Sequence, residues 1–166
     1  MPLIPMGRRM MALPFAGAVC LCLMLLQTAR AATLGGDACS LLTPSQISAV
    51  LGVTVAAGEH PIASSLLLCN WSAAATSHVA NGKVSISLMT ERAFEVGKTP
   101  MGDVVVTPLR ALGEDAYYVE GPAVGTRLAV KNAGLCVQVR VEGFASAKAK
   151  ALERTLALEM LTTHAT

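Results

Sequence analysis

Two alternating runs near the C-terminus, Thr126 to Lys131 and Leu135 to Glu142, constrain this chain more than any other feature. The apolar positions are Leu128 and Val130 in the first run, and Leu135, Val137, Val139 and Val141 in the second. A period of two marks half-buried strands. Between them, either a tight Ala133-Gly134 turn or a four-residue loop pairs Val130 with Val137 and Leu128 with Val139. A three-residue loop sets Leu128 against Gln138 and mixes the faces. The consistent register therefore builds an antiparallel hairpin with one dry face. It also sets Arg127 opposite Arg140 on the wetter face, and Lys131 opposite Cys136.

The rest of the chain supplies partners for that hairpin. Thr43 is a good N-cap, with Pro44 at the first helical position and Gln46 completing a Thr-x-x-Gln capping box. Gly52 stops this helix after about eight residues, with Ile47, Val50 and Leu51 on its apolar side. Strand signals follow at Val53 to Ala56, Leu66 to Ala74 and Lys83 to Thr90, the last preceded by an Asn81-Gly82 turn. Glu91 to Gly97 reads as a helical turn. Val104 to Val106 reads as a short strand stopped by Pro108, and Ala116 to Glu120 as another strand. Ser146 is placed to cap a closing helix whose Ala149, Leu152, Leu156 and Met160 recur at helical spacing. In that reading Lys148, Lys150, Glu153 and Arg154 lie on the polar side. The expected fold is a two-layer α+β domain: a mostly antiparallel sheet, with a short N-terminal and a longer C-terminal helix packed on one face.

The 166-residue chain carries 13 basic and 11 acidic side chains. Its first 31 residues read as an export signal: Arg8 and Arg9, an apolar stretch from Met10 to Leu26, then an Ala29-Arg30-Ala31 site with cleavage before Ala32. The alternative is an uncleaved anchor, which Pro14 and the short apolar stretch weaken. Losing Arg8, Arg9 and Arg30 takes the 13 basic residues to ten against 11 acids, a net charge of −1. The mature chain, residues 32–166, then reads as one periplasmic or secreted domain with its core at about residues 39–161. A near-neutral balance argues against nucleic acid, and membrane contact is expected only through the leader.

Cys39, Cys69 and Cys136 remain after cleavage, and export permits disulfides. Bridging Cys39 to Cys69 closes a loop of about 30 residues and stabilises by roughly 3.5 kcal/mol. Cys136 sits within an alternating strand and is left reduced. If it faces the wetter side it can link two chains.

Three segments stand out together: Cys39-Ser40-Leu41-Leu42-Thr43-Pro44, Cys69-Asn70-Trp71, and Leu112-Gly113-Glu114-Asp115-Ala116-Tyr117. They resemble a family of small exported actinobacterial-type lipoproteins of unknown function, similar in pattern to extracellular sensor domains of bacterial receptor kinases. The resemblance spans about residues 39–161. It implies an α+β envelope domain and supports the Cys39–Cys69 pairing, but carries over no catalytic residue. The chain departs from the family in lacking a lipidation cysteine and in having Cys136.

Catalytic motifs are lacking. His60, His78 and His164 fall in no metal-ligand spacing and read as solvated loop or tail residues. No Gly-x-Ser-x-Gly or Ser-x-x-Lys pattern occurs, and no cofactor or metal is implied. Glu114-Asp115 reads as a turn end, Asn70-Trp71-Ser72 as a glycosylation sequon, and Trp71 as a core plug near the disulfide. Arg127 and Arg140 are the candidate contact for an anion or a partner: like charges directly opposed across strands repel, and a carboxylate, phosphate or acidic surface relieves the repulsion. The bland reading has both side chains splayed into water, with Glu142 or Glu120 compensating.

The expected function is a non-catalytic secreted or periplasmic binding or sensor-like module for a small ligand or envelope protein. Two other classes stay open. One is a periplasmic inhibitor or immunity protein that plugs a partner's site with a loop such as Thr76 to Gly82. The other is an envelope hydrolase whose residues are assembled only by the fold, around His60 or His78.

Overall fold

A computed structural model describes residues 36–74 and 81–164. The leader, its cleavage point, His78 and most of the Thr76 to Gly82 loop lie outside the described residues.

The capping box closes as its residues demand. Thr43 Oγ1 accepts from Gln46 N and Gln46 Oε1 accepts from Thr43 N at 2.9 Å, starting helix α1, Pro44–Leu51. Gly52 ends it at φ 72°, the left-handed conformation that glycine tolerates best. Six strands follow: β1 Leu68–Ser72, β2 Lys83–Leu88, β3 Val105–Leu109, β4 Asp115–Gly121, β5 Gly125–Asn132 and β6 Leu135–Glu142. They form one sheet in the order β1-β2-β6-β5-β4-β3, with every neighbour antiparallel. In the central hairpin Leu128 faces Val139 and Val130 faces Val137, the register that keeps the apolar positions together. Ala133 at φ 48° and Gly134 at φ 81° make its tight turn.

The dry face carries Trp71, Val84, Ile86, Leu128, Val137 and Val139, all at most 1% exposed. Over it lie α1 and the long helix α3, Ser146–Thr163, the latter through Ala149, Leu156, Ala157 and Met160. The Cys39–Cys69 bridge ties a 3-10 turn, Ala38–Ser40, to β1. Gly58 packs directly on this corner. A Cβ there would sit 2.7 Å from both Cys69 Sγ and the Trp71 ring nitrogen, two groups with little freedom to retreat. Gly58→Ala is expected to destabilise by about 1–3 kcal/mol, read as a lower urea midpoint with unchanged slope.

Four details differ from the sequence expectation. Helix α2, Glu91–Gly97, covers part of the wetter face, where Phe94, Tyr117, Ala129 and Cys136 form a second small core. Phe94 and Tyr117 pack at 5.0 Å between ring centroids, and the Tyr117 hydroxyl donates to Phe94 O at 2.8 Å. Cys136 is consequently 3% exposed, so a disulfide between two folded chains through it would need α2 to lift. Pro108 lies within β3 instead of ending it. That strand is the sheet edge and pairs only with β4, so a residue without N–H fits. Val53 to Ala56 contributes a single bridge, Val55 to Ala73, rather than a strand. Ser146 is the first helical residue of α3, and Ala145 precedes it without a side-chain cap.

Candidate functional site

The part of the wetter face that α2 leaves open is polar. The pairings Asn70 with Ser85 and Ser85 with Arg140 run across β1, β2 and β6. One residue beyond the last β5–β6 pair, Leu128 with Val139, the same register sets Arg127 against Arg140. A neighbouring row pairs Ser87 with Gln138, and Gln138 with Ala129. These residues, apart from the buried Ala129, line a cleft of about 330 Å³ together with Pro61 and Leu68.

Its charges are unequal. Lys83, Arg127 and Arg140 line it against the single carboxylate of Glu142. Arg140 Nη2 pairs with Glu142 Oε1 at 2.9 Å, while Ser85 Oγ donates to Asn70 Oδ1 at 2.8 Å. Glu120, the other acid expected to compensate, is engaged instead with Lys150 at 2.6 Å. Arg127 forms no ion pair among the described residues, and its Nε–H is shielded from solvent without a hydrogen-bond partner. A buried donor left unmade costs about 1–3 kcal/mol, so this half-buried side chain holds one unmet donor and no ion-pair partner among the described residues.

Behind the arginine pair stands a residue that the sequence reading placed on the polar side of α3. Glu153 is fully buried. Beyond the last β5–β6 pair, its Oε1 accepts from Val141 N and from Thr126 Oγ1, each at 3.1 Å. One carboxylate thus joins α3 to both strands directly beside Arg127 and Arg140. Burial pushes its pKa up to about 7, partly opposed by those two donors and by the Arg140 and Lys150 charges. The available signal was spacing: position 153 lies four after Ala149 and three before Leu156, on the buried stripe itself.

A second cleft of about 540 Å³ shares Arg140 and Glu142 with the first. It adds the carboxylates of Asp103 and Glu120, which make it the less suitable cleft for an anion.

The other candidates resolve into structural roles. His60 is wired in rather than freely solvated: Nδ1 lies 2.9 Å from Leu68 O, and Nε2 lies 3.2 Å from Asp37 Oδ1. His164 Nε2 lies 3.2 Å from Leu41 O. Asp37, Cys39 and His60 cluster closely enough to suggest metal ligands. The Cys39 sulfur is bonded to Cys69, however, which leaves two donors where zinc sites use three or four protein ligands. Glu114 Oε1 accepts from Ala133 N at the hairpin turn, and Asp115 pairs with Lys98 at 2.5 Å. Asn70 is 8% exposed within β1 and bonded to Ser85, a poor acceptor for a glycan. Trp71 is 1% exposed beside the disulfide, as a core plug should be.

Among the described residues no serine hydroxyl is hydrogen-bonded to a histidine, and no helix is long and apolar enough to cross a membrane. Comparison with protein-family models, curated proteins and solved structures finds no match to this chain.

Proposed function

We propose that this protein is an exported, non-catalytic binding module whose open sheet face receives an anionic ligand or the acidic surface of an envelope partner. The observation that carries the reading is Arg127: opposed to Arg140 and without an ion-pair partner among the described residues, on a concave face of hydrogen-bonding side chains. A rigid sheet supplies the floor, so the guanidiniums are presented without ordering a loop first. The sequence-level export signal and the disulfide support an extracytoplasmic setting. The resemblance to small exported lipoprotein domains points the same way.

Amide chemical-shift mapping with inorganic phosphate and succinate as probes tests this reading. The expected shifts concentrate on Ser85, Ser87, Arg127, Gln138 and Arg140, and weaken as salt is raised. Shifts confined to the cleft beside Asp103, or spread evenly over the surface, would remove the assignment. Steady turnover of a chromogenic ester, abolished by one substitution on this face, would replace binding with catalysis.

A further inference from the structure

We infer that the open-face cleft takes a phosphate monoester of a small hydroxylated molecule about the size of a monosaccharide. The inference rests on the reading of this face as the binding surface and adds the ligand's chemistry.

Charge comes first. Lys83, Arg127 and Arg140 against Glu142 leave an excess of two positive charges in the cleft. A carboxylate supplies one negative charge, whereas a phosphate monoester supplies about 1.5 to 2 at neutral pH. Geometry agrees with charge. Arg127 and Arg140, one step beyond the last β5–β6 pair, bring two guanidiniums with forked N–H donors to the lining of one cleft. A tetrahedral phosphate has three terminal oxygens to accept them, and a planar carboxylate has two. Arg127 has a shielded, unpartnered Nε–H and no ion-pair partner among the described residues, so an anion in the cleft supplies the charge partner it lacks.

The remaining lining specifies what carries the phosphate. Ser87 and Gln138 offer a hydroxyl and an amide, groups that both donate to and accept from a ligand hydroxyl, beside the mutually bonded Asn70 and Ser85. No aromatic side chain lines the cleft, so it offers no stacking platform for a nucleobase. Its volume of about 330 Å³ is small for a ligand pocket and suits one sugar-sized unit.

Isothermal titration of the secreted protein at low salt tests the class, with glucose 6-phosphate, glucose, inorganic phosphate, glucuronate and a poly-glutamate peptide as probes. The expected order is glucose 6-phosphate first, inorganic phosphate and glucuronate at least about tenfold weaker, and no binding of glucose. Arg127→Ala should weaken the phosphate ester about tenfold to a hundredfold. Gln138→Ala should weaken glucose 6-phosphate by a larger factor than it weakens inorganic phosphate. Arg127→Lys serves as a second variant if the alanine form unfolds, since it keeps the charge and loses the fork. Arg127-dependent binding that prefers glucuronate or poly-glutamate overturns the phosphate class and leaves the face standing. If no probe binds in an Arg127-dependent way, both this inference and the reading beneath it fall.

Discussion

Replacing both Cys39 and Cys69 with alanine is expected to lower the free energy of unfolding by about 3–4 kcal/mol at neutral pH. The bridge spans 30 residues of sequence, so cutting it returns a long loop's worth of freedom to the unfolded chain. The native state loses as well, because Cys69 is wholly buried and packs under Gly58 beside Trp71. Equilibrium urea denaturation measures both effects: the midpoint falls, and the slope rises as the unlinked chain expands. A loss below about 1 kcal/mol would mean that the unfolded loop is already compact without its tie. The same corner predicts non-additivity. With the Cys69 sulfur removed, the added methyl of Gly58→Ala keeps its clash with the Trp71 ring but loses the one with sulfur, so its penalty should shrink in part in the alanine background.

Stability is also expected to fall as pH rises from about 4.5 to about 7. Glu153 drives this, with a folded pKa near 7 against an ordinary value of 4.5. Across that window the native state holds the proton that the unfolded state has released, so the unfolded state binds fewer protons and the slope is negative. The contribution is complete below about pH 4.5 and gone above about pH 7. A shift of this size is worth on the order of 3 kcal/mol. Glu153→Gln removes the titrating group while its amide oxygen still accepts from Val141 N and Thr126 Oγ1. This variant should flatten the dependence and be the more stable protein at pH 8. Thermal unfolding from pH 4.5 to 8 reads the result. Glu153 Oε2 is buried without a partner, so a glutamine variant less stable than the parent at pH 8 would show that the unmet amide N–H groups placed there, or the Arg140 and Lys150 charges, outweigh the relief of removing the buried charge.

What the sequence disclosed, and what it hid, follows from the range of the physics involved. The Thr43–Gln46 box and the Ala133-Gly134 turn depend on neighbours a few residues away, so local chemistry was enough to read them. The β5–β6 register was legible because a slip by one residue would have turned Leu128 and Val130 outward. Glu153 was hidden because a carboxylate on an apolar stripe reads as an error until its donors, from β5 and β6, are in view. Gly58 was hidden too: nothing nearby in sequence reveals a tryptophan and a sulfur folded against it. For the site, the opposition of Arg127 and Arg140 was readable from register alone. The concavity, the engagement of Glu120 with Lys150 and the isolation of Arg127 were not, since they depend on elements far apart in sequence.

The small core beneath α2 gives the protein a built-in clock. Cys136 is the free thiol of the described residues, it is shut away under Phe94, and burial pushes its pKa up. A thiol reagent therefore reacts only in the moments when α2 swings off the sheet and the sulfur meets water. Its labelling rate counts those openings without any introduced probe. Because α2 sits beside the polar face, a ligand that clamps that face and the helix together would slow the clock, and one that ignores α2 would leave it running.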